Sequence, residues 1–225
     1  MKKATKNNMI LSIRNASYQY ADAEADEYAL KDVSFDFEKG KMYAIRGRSG
    51  TGKTTLLSLI TGLERCTEGE IIFEGQDLKN VNLDEYRSQK IGIVFQSYNL
   101  LPYMTAAENI VLSMDISGAT IEDKRGKAIE LMKAVGLKEQ YADRKVLRLS
   151  GGEQQRVAIA RSLSYDPKMI VADEPTGNLD KQTETEIMEI FRQLAHKEGK
   201  CIITVTHSPN VCAAADVVYD LKKVK

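Results

Sequence analysis

The stretch GRSGTGKTT, residues 47–55, constrains this 225-residue chain more than any other. It fits the spacing G-x-x-x-x-G-K-[ST], between a short apolar strand, MYAI (42–45), and a helix, TTLLSLITGL (54–63), closed by Gly62. The physical reason for that order is an anion cradle. Glycines let backbone N–H groups wrap a diphosphate, and the helix N-terminus adds a favourable dipole. Lys53 can reach the outer phosphate oxygens, and the Thr54 hydroxyl can hold Mg²⁺. A strand–loop–helix unit of this kind predicts an α/β chain with ligands at the carboxyl ends of parallel strands.

The rest of the pattern agrees. Residues 10–20 and 28–37 alternate like strands, with Val33, Phe35 and Phe37 on one face, and further strands are predicted at 69–75 and 90–95 with LDEYRSQ as a short helix between them. From about 97 to 163 the periodicity turns helical, with helices predicted at 105–116, 120–136 and 151–163. In the second, Ile121, Ile129, Met132 and Val135 are compatible with one apolar face. The alternation then resumes with a strand at 168–173, a helix at 181–197, a strand at 200–206 and a last strand near 216–221. In helix 181–197 the spacing of Ile187, Ile190, Phe191, Leu194 and Ala195 marks a core face.

Three strand ends carry chemistry. MIVADE (169–174) delivers Asp173 to the sheet edge, where a carboxylate can hold Mg²⁺, and Glu174 follows on the opposite face as a candidate to polarise water. Gln96 closes IGIVFQ and His207 closes CIITVTH, so both join the edge that carries Lys53. A second anion-binding turn, LSGGEQQR (149–156), puts a serine and two glycines ahead of a helix.

Composition narrows the partners. Lys plus Arg and Asp plus Glu both number 32, so no basic field argues for nucleic acid. The basic ends, MKKATK and LKKVK, read as solvated tails. Cys66, Cys201 and Cys212 lack metal-site or disulfide spacing, which favours a reducing interior. MKKATKNNMILSIRN has too short an apolar stretch for a signal peptide, and the apolar runs near MIVA and CIITV fall well short of the roughly 20 residues that span a bilayer.

In chain order, the phosphate loop, Gln96, LSGGEQQR, Asp173–Glu174, GNLD (177–180) and His207 resemble the motif series of ABC-type ATPase domains, and the resemblance covers nearly the whole chain. ADEPTGNLD with YALKDVSF looks most like the branch serving lipoprotein-releasing, macrolide-export and peptide-antibiotic-resistance transporters. Their permeases have few membrane helices and a large extracytoplasmic domain. The resemblance implies a P-loop NTPase core (1–96 and 164–225) built on a mostly parallel sheet. It also implies an N-terminal antiparallel β subdomain and an inserted helical lobe at 97–163. It assigns Gly47, Arg48, Ser49, Gly50, Thr51, Gly52, Lys53, Thr54 and Thr55 to ATP, and Thr54, Gln96 and Asp173 to Mg²⁺. Glu174 would be the general base, His207 a γ-phosphate contact and Gln96 a contact of the metal and the attacking water. Tyr20 would stack on adenine, with Tyr18 as its rival. Ser150, Gly151, Gly152 and Glu153 would cap ATP held by a second copy, and Asn178 and Asp180 would line that homodimer. SYNLLPYMTAAENI would face the permease; Leu100, Leu101, Pro102, Tyr103 and Met104 suit docking, although any one of them suits the core equally.

Implied too are an ATP-driven homodimer and a peripheral position on the cytoplasmic face of the plasma membrane, reached through the permease without membrane insertion. Arg48 departs from the usual proline of such loops, and Arg148 from a common acidic residue before the signature. The alternative within the family is a soluble ATPase in DNA repair or translation. Those relatives usually carry two cassettes or a long coiled coil, and neither is found here. A nucleotide kinase or GTPase leaves LSGGEQQR without a purpose, and no NKxD-type stretch reads guanine.

Overall fold

The computed structural model describes residues 8–21 and 27–224; the basic MKKATK segment and Lys225 lie outside them. Strands β1 (Met9–Tyr18) and β2 (Leu30–Glu38) pair antiparallel, and β1 also pairs antiparallel with β4 (Glu68–Phe73). With β5 (Gln76–Asp77) they form a sheet ordered β2-β1-β4-β5. The second sheet is parallel throughout. Its order is β6 (Ile91–Val94), β7 (Met169–Asp173), β8 (Cys201–Thr206), β3 (Met42–Arg46) and β9 (Val217–Asp220).

The central strands are buried without a break because both faces of a parallel sheet are covered, and the polar Thr204 of β8 is accommodated by donating its hydroxyl to the Tyr43 carbonyl at 2.9 Å. Met42–Ile45, Met169–Ala172 and Cys201–Thr206 are all buried. Side chains alternate between two cores. Met42, Ile170, Ala172 and Ile202 pack with Phe191 and the helical lobe. Tyr43, Val171, Ile203 and Val205 pack with Leu56 and Leu59 of α1 (Lys53–Ile60) and with the antiparallel sheet.

Between β5 and β6 the expected short helix is one turn, α2 (Leu83–Glu85), running into a π turn at Tyr86–Lys90. The lobe comprises α3 (Ala106–Ser117), α4 (Lys124–Ala134) and α5 (Gly151–Ser162). Helix α4 is shorter than the predicted 120–136. Gly118 ends α3 in the left-handed conformation, and Asp123 starts α4 by accepting the Gly126 N–H. Ile121 therefore precedes the helix, and Ala128, Met132 and Val135 supply the fully buried positions.

Helix α6 (Lys181–His196) also differs from the reading of its apolar face. Met188 is buried beside Ile187, Phe191, Leu194 and Ala195, whereas Ile190 is only half-buried. Helix α7 (Pro209–Ala214) was not anticipated, although Ser208 as cap and Pro209 in the first turn are its ordinary signals.

Candidate functional site

Parallel register brings the strand ends to one edge. Arg46 pairs with Thr206, Asp173 with Val205 and Val94 with Ala172. The phosphate loop after β3, Gln96 after β6, Glu174 after β7 and His207 after β8 therefore emerge on the same side of the sheet. None of the four is near another in sequence; the register alone assembles them.

In the loop, Gly52 adopts φ 87°, and a Cβ there would sit 2.5 Å from the Ala29 carbonyl oxygen, so both conformation and packing demand glycine. The Lys53 ammonium folds over the loop and donates to the Gly47 and Arg48 carbonyls at 2.9 and 3.0 Å. The Thr51 hydroxyl donates to the Arg48 carbonyl at 2.9 Å. The Arg48 carbonyl is thus tied into the loop, a main-chain contact that the usual proline would make equally.

Thr54 is exposed and Thr55 buried. The Thr55 hydroxyl lies 3.0 Å from that of Tyr20, which ties the aromatic platform to α1. Tyr20 is 49% exposed, while Tyr18 is buried beneath it with ring centroids 5.0 Å apart, edge to face. Of the two, Tyr20 is the one exposed to a ligand.

Glu174 adopts φ 41°, a left-handed conformation that is strained for a side chain with a Cβ. Three contacts hold it. One carboxylate oxygen lies 2.6 Å from His207 Nδ1, and the other accepts the Thr206 hydroxyl at 3.0 Å and the His207 N–H at 3.3 Å. Sequence reading placed Glu174 and His207 at one edge but missed that they touch. Burial, followed by the charge of Glu174, holds the Asp173 carboxyl above the usual aspartate range, and Lys53 opposes that rise. A cation beside Asp173 would relieve the crowding of two carboxylates. Among the described residues, no group of three or more His, Cys, Asp or Glu could hold a metal unaided. One carboxylate with hydroxyl and amide oxygens fits Mg²⁺, which takes few protein ligands and completes its shell with phosphate and water.

The signature turn packs elsewhere. Ser150 caps α5 in a capping box: its hydroxyl accepts the Glu153 N–H at 3.3 Å, and the Glu153 carboxylate accepts the Ser150 N–H at 2.8 Å. Glu153 is thereby committed to its own helix. The Gly151 and Gly152 N–H groups fall at the first helical positions, which have no intrahelical acceptor.

Asp180 likewise caps α6, accepting the Gln182 and Thr183 N–H groups and the Thr183 hydroxyl, while Asn178 is exposed. These hydrogen bonds, led by Thr183 N–H, lower the Asp180 pKa. A depressed carboxylate adds stability that is present above its unfolded pKa and lost as pH falls through the folded value. Asp180→Ala should lower the melting temperature by a few degrees at pH 7, with the gap from the parent closing on acidification. Calorimetry across pH checks this, and equal melting temperatures at pH 7 would remove the cap.

Of the expected docking residues, Leu101 and Tyr103 are exposed, Tyr103 by 83%. Leu100, Pro102 and Met104 are half-buried, and Leu100 packs on the core. Leu147 is a 67% exposed apolar residue that sequence reading passed over. The Val146 N–H donates to the Met104 carbonyl at 3.2 Å, so the two exposed segments run side by side.

Comparison with known proteins matches residues 30–177 to the family described as ABC transporter. An uncharacterized ABC transporter ATP-binding protein, YclH of Bacillus subtilis, is 45% identical over 95% of this chain and 94% of its own length. The lipoprotein-releasing system ATP-binding protein LolD of Francisella tularensis is 39% identical over 96% and 94%. Among solved structures, the dimeric bacterial ABC transporter cassette MJ0796 superposes with a TM-score of 0.85 at 38% identity, covering 96% of this chain and 97% of that one. A dimeric post-hydrolysis state of MJ0796 bound to ADP and Pi gives the same TM-score at 37% identity, covering 95% and 94%.

Proposed function

This chain belongs to the ABC transporter family, and from that premise we propose how its residues serve an ATP-hydrolysing subunit that powers a membrane transporter. The observation that carries the proposal is the separation of two anion-binding turns. The phosphate loop packs on Ala29, Leu30 and Leu221, whereas the signature turn packs on Tyr98, Leu179 and Thr183. Each turn is half of a site. Two copies arranged head to tail would place Ser150, Gly151 and Gly152 of one against ATP held by Lys53 of the other.

Within one half-site, Tyr20 would stack on adenine and residues 47–55 would wrap the phosphates. Lys53 would exchange its loop carbonyls for phosphate oxygens. Mg²⁺, held by Thr54, Gln96 and Asp173, would neutralise charge developing on the phosphates. Glu174 would take the proton of the attacking water, and its contacts with His207 and Thr206 fix the carboxylate for that task. His207 reaches Glu174 through Nδ1, leaving Nε2 to face the γ-phosphate. Asn178 would meet the partner copy directly, and Asp180 would act by shaping the turn that presents it.

Leu101, Tyr103 and Leu147 form the face that would receive a permease, with the cassette held peripherally on the cytoplasmic side. No helix among the described residues is long and apolar enough to cross a membrane, so attachment would run through that partner. The branch resemblance, together with the likeness to LolD, favours a permease with few membrane helices and a large extracytoplasmic domain. The comparisons give the reading of a soluble ATPase in DNA repair or translation no support.

Purification of the tagged chain from detergent-solubilised membranes tests the partner. The expected result is stoichiometric recovery of an integral membrane protein of that shape, lost when Tyr103 and Leu147 are both changed to Glu. Recovery with ribosomes or DNA and no membrane protein would overturn it.

A further inference from the structure

Between Gln96 and α3 the chain passes through two consecutive non-glycine residues in the left-handed conformation, Tyr98 (φ 60°) and Asn99 (φ 48°). That conformation is unfavourable for a bulky residue such as Tyr98, less so for Asn99, and at Tyr98 it persists where surrounding contacts impose it. The contacts come from the signature helix. Arg161, near the end of α5, donates from one guanidinium nitrogen to the Tyr98 carbonyl at 2.9 Å and from the other to the Asn99 carbonyl. Among the described residues Arg161 has no carboxylate within ion-pair distance, and burial lowers its pKa. A desolvated cation that gives its donors to two backbone carbonyls is a clamp on that backbone.

The same tyrosine reaches the other end of α5. A Cβ added to Gly151 would lie 2.9 Å from the Tyr98 hydroxyl, so the ring reaches the signature turn itself. Further on, the Asn109 side chain of α3 accepts the Leu101 N–H at 2.8 Å and donates to the Leu101 carbonyl at 3.2 Å. On the near side, the Gln96 amide reaches the turn before α6, 3.0 Å from where a Gly177 Cβ would be. The loop is pinned to the helical lobe at Tyr98, Asn99 and Leu101, and Gln96 leads into it from the end of β6.

We propose that Tyr98 and Arg161 are positioning residues that lock the loop bearing Gln96 to the signature turn, so that the metal and water contact made by Gln96 at one chain's own site and the cap that chain gives its partner's site move as one rigid piece. The inference rests on the head-to-tail arrangement proposed above. Neither residue touches the chain's own nucleotide; both act through Gln96 and Gly151.

The test uses the full chain in a Glu174→Gln background, with Tyr98→Ala, Tyr98→Phe, Arg161→Ala or Arg161→Lys added. Monomer affinity is read from fluorescent ATP-analogue binding at low protein concentration. Dimerisation is read by light scattering against MgATP concentration. Losing the clamp should raise the MgATP midpoint for dimerisation by at least about 10-fold in the alanine variants, because loop and signature must then be ordered separately. Monomer affinity should stay within about twofold, since no nucleotide contact is removed.

Arg161→Lys keeps the charge but not the two-pronged fork, and Tyr98→Phe keeps the ring but not the hydroxyl, so both should fall between parent and alanine. If an alanine variant does not fold, these conservative variants decide by the same two readings. An unchanged dimerisation midpoint overturns the proposal, as does a parallel loss of monomer affinity. A Glu174→Gln parent that stays monomeric overturns instead the arrangement beneath it.

Discussion

Glu174→Gln should turn over ATP at least about 100-fold more slowly than the parent while binding MgATP with near-parental affinity, because a general base is lost and the binding groups remain. The substitution keeps size and shape. The glutamine oxygen can still accept from Thr206 and the His207 N–H at their present 3.0 and 3.3 Å. What disappears is the charge and the ability to take a proton. Steady-state phosphate release and equilibrium nucleotide binding together check the split. Near-parental hydrolysis would remove Glu174 from the base role, and a collapse of affinity would recast it as a binding residue.

The second large effect is expected at a residue that touches no nucleotide in its own chain. Gly152→Asp places a carboxylate at the first turn of α5, where the turn is required to attract phosphate. Its Cβ would start 2.6 Å from the Thr183 Cγ2, a side-chain methyl on α6 that must yield slightly. Hydrolysis should fall at least about 100-fold, because the backbone N–H remains but a negative charge now stands where the phosphate must approach. ATP binding to the isolated monomer should hold within about twofold, because the phosphate loop is untouched.

Lys53→Ala should do the reverse and lose monomer binding. Mixing the two inactive chains should restore activity, since each mixed dimer contains one site with an intact Lys53 and an intact signature. A mixture as inactive as its components would count against sites shared between copies.

The phosphate loop, the acidic strand end and the signature were legible because each is a contiguous run whose chemistry depends on local spacing. The parallel sheet was legible for the same reason: β3, β7 and β8 are short runs rich in apolar and β-branched residues, and helices separate them. What sequence could not supply depends on register or on partners far apart. Glu174 meets His207 only because β7 lies beside β8 with Asp173 opposite Val205. Arg161 clamps Tyr98 and Asn99 across 62 residues or more, and no periodicity signals a guanidinium bound to backbone carbonyls.

Some misses had local signals. Ser150 and Glu153 carry the capping-box spacing, and Ser208–Pro209 announces α7. Met188 in place of Ile190 is a small rotation of the apolar stripe on α6, within what a five-residue pattern tolerates.

In the head-to-tail arrangement proposed above, two incomplete sites would become complete when ATP lies between two copies. Size-exclusion chromatography with light scattering on Glu174→Gln at saturating MgATP tests it most directly. The expected result is a particle of twice the monomer mass that returns to monomer when the nucleotide is removed or when Gly152→Asp is added. A monomer at saturating MgATP, or a dimer indifferent to both nucleotide and Gly152, would contradict it.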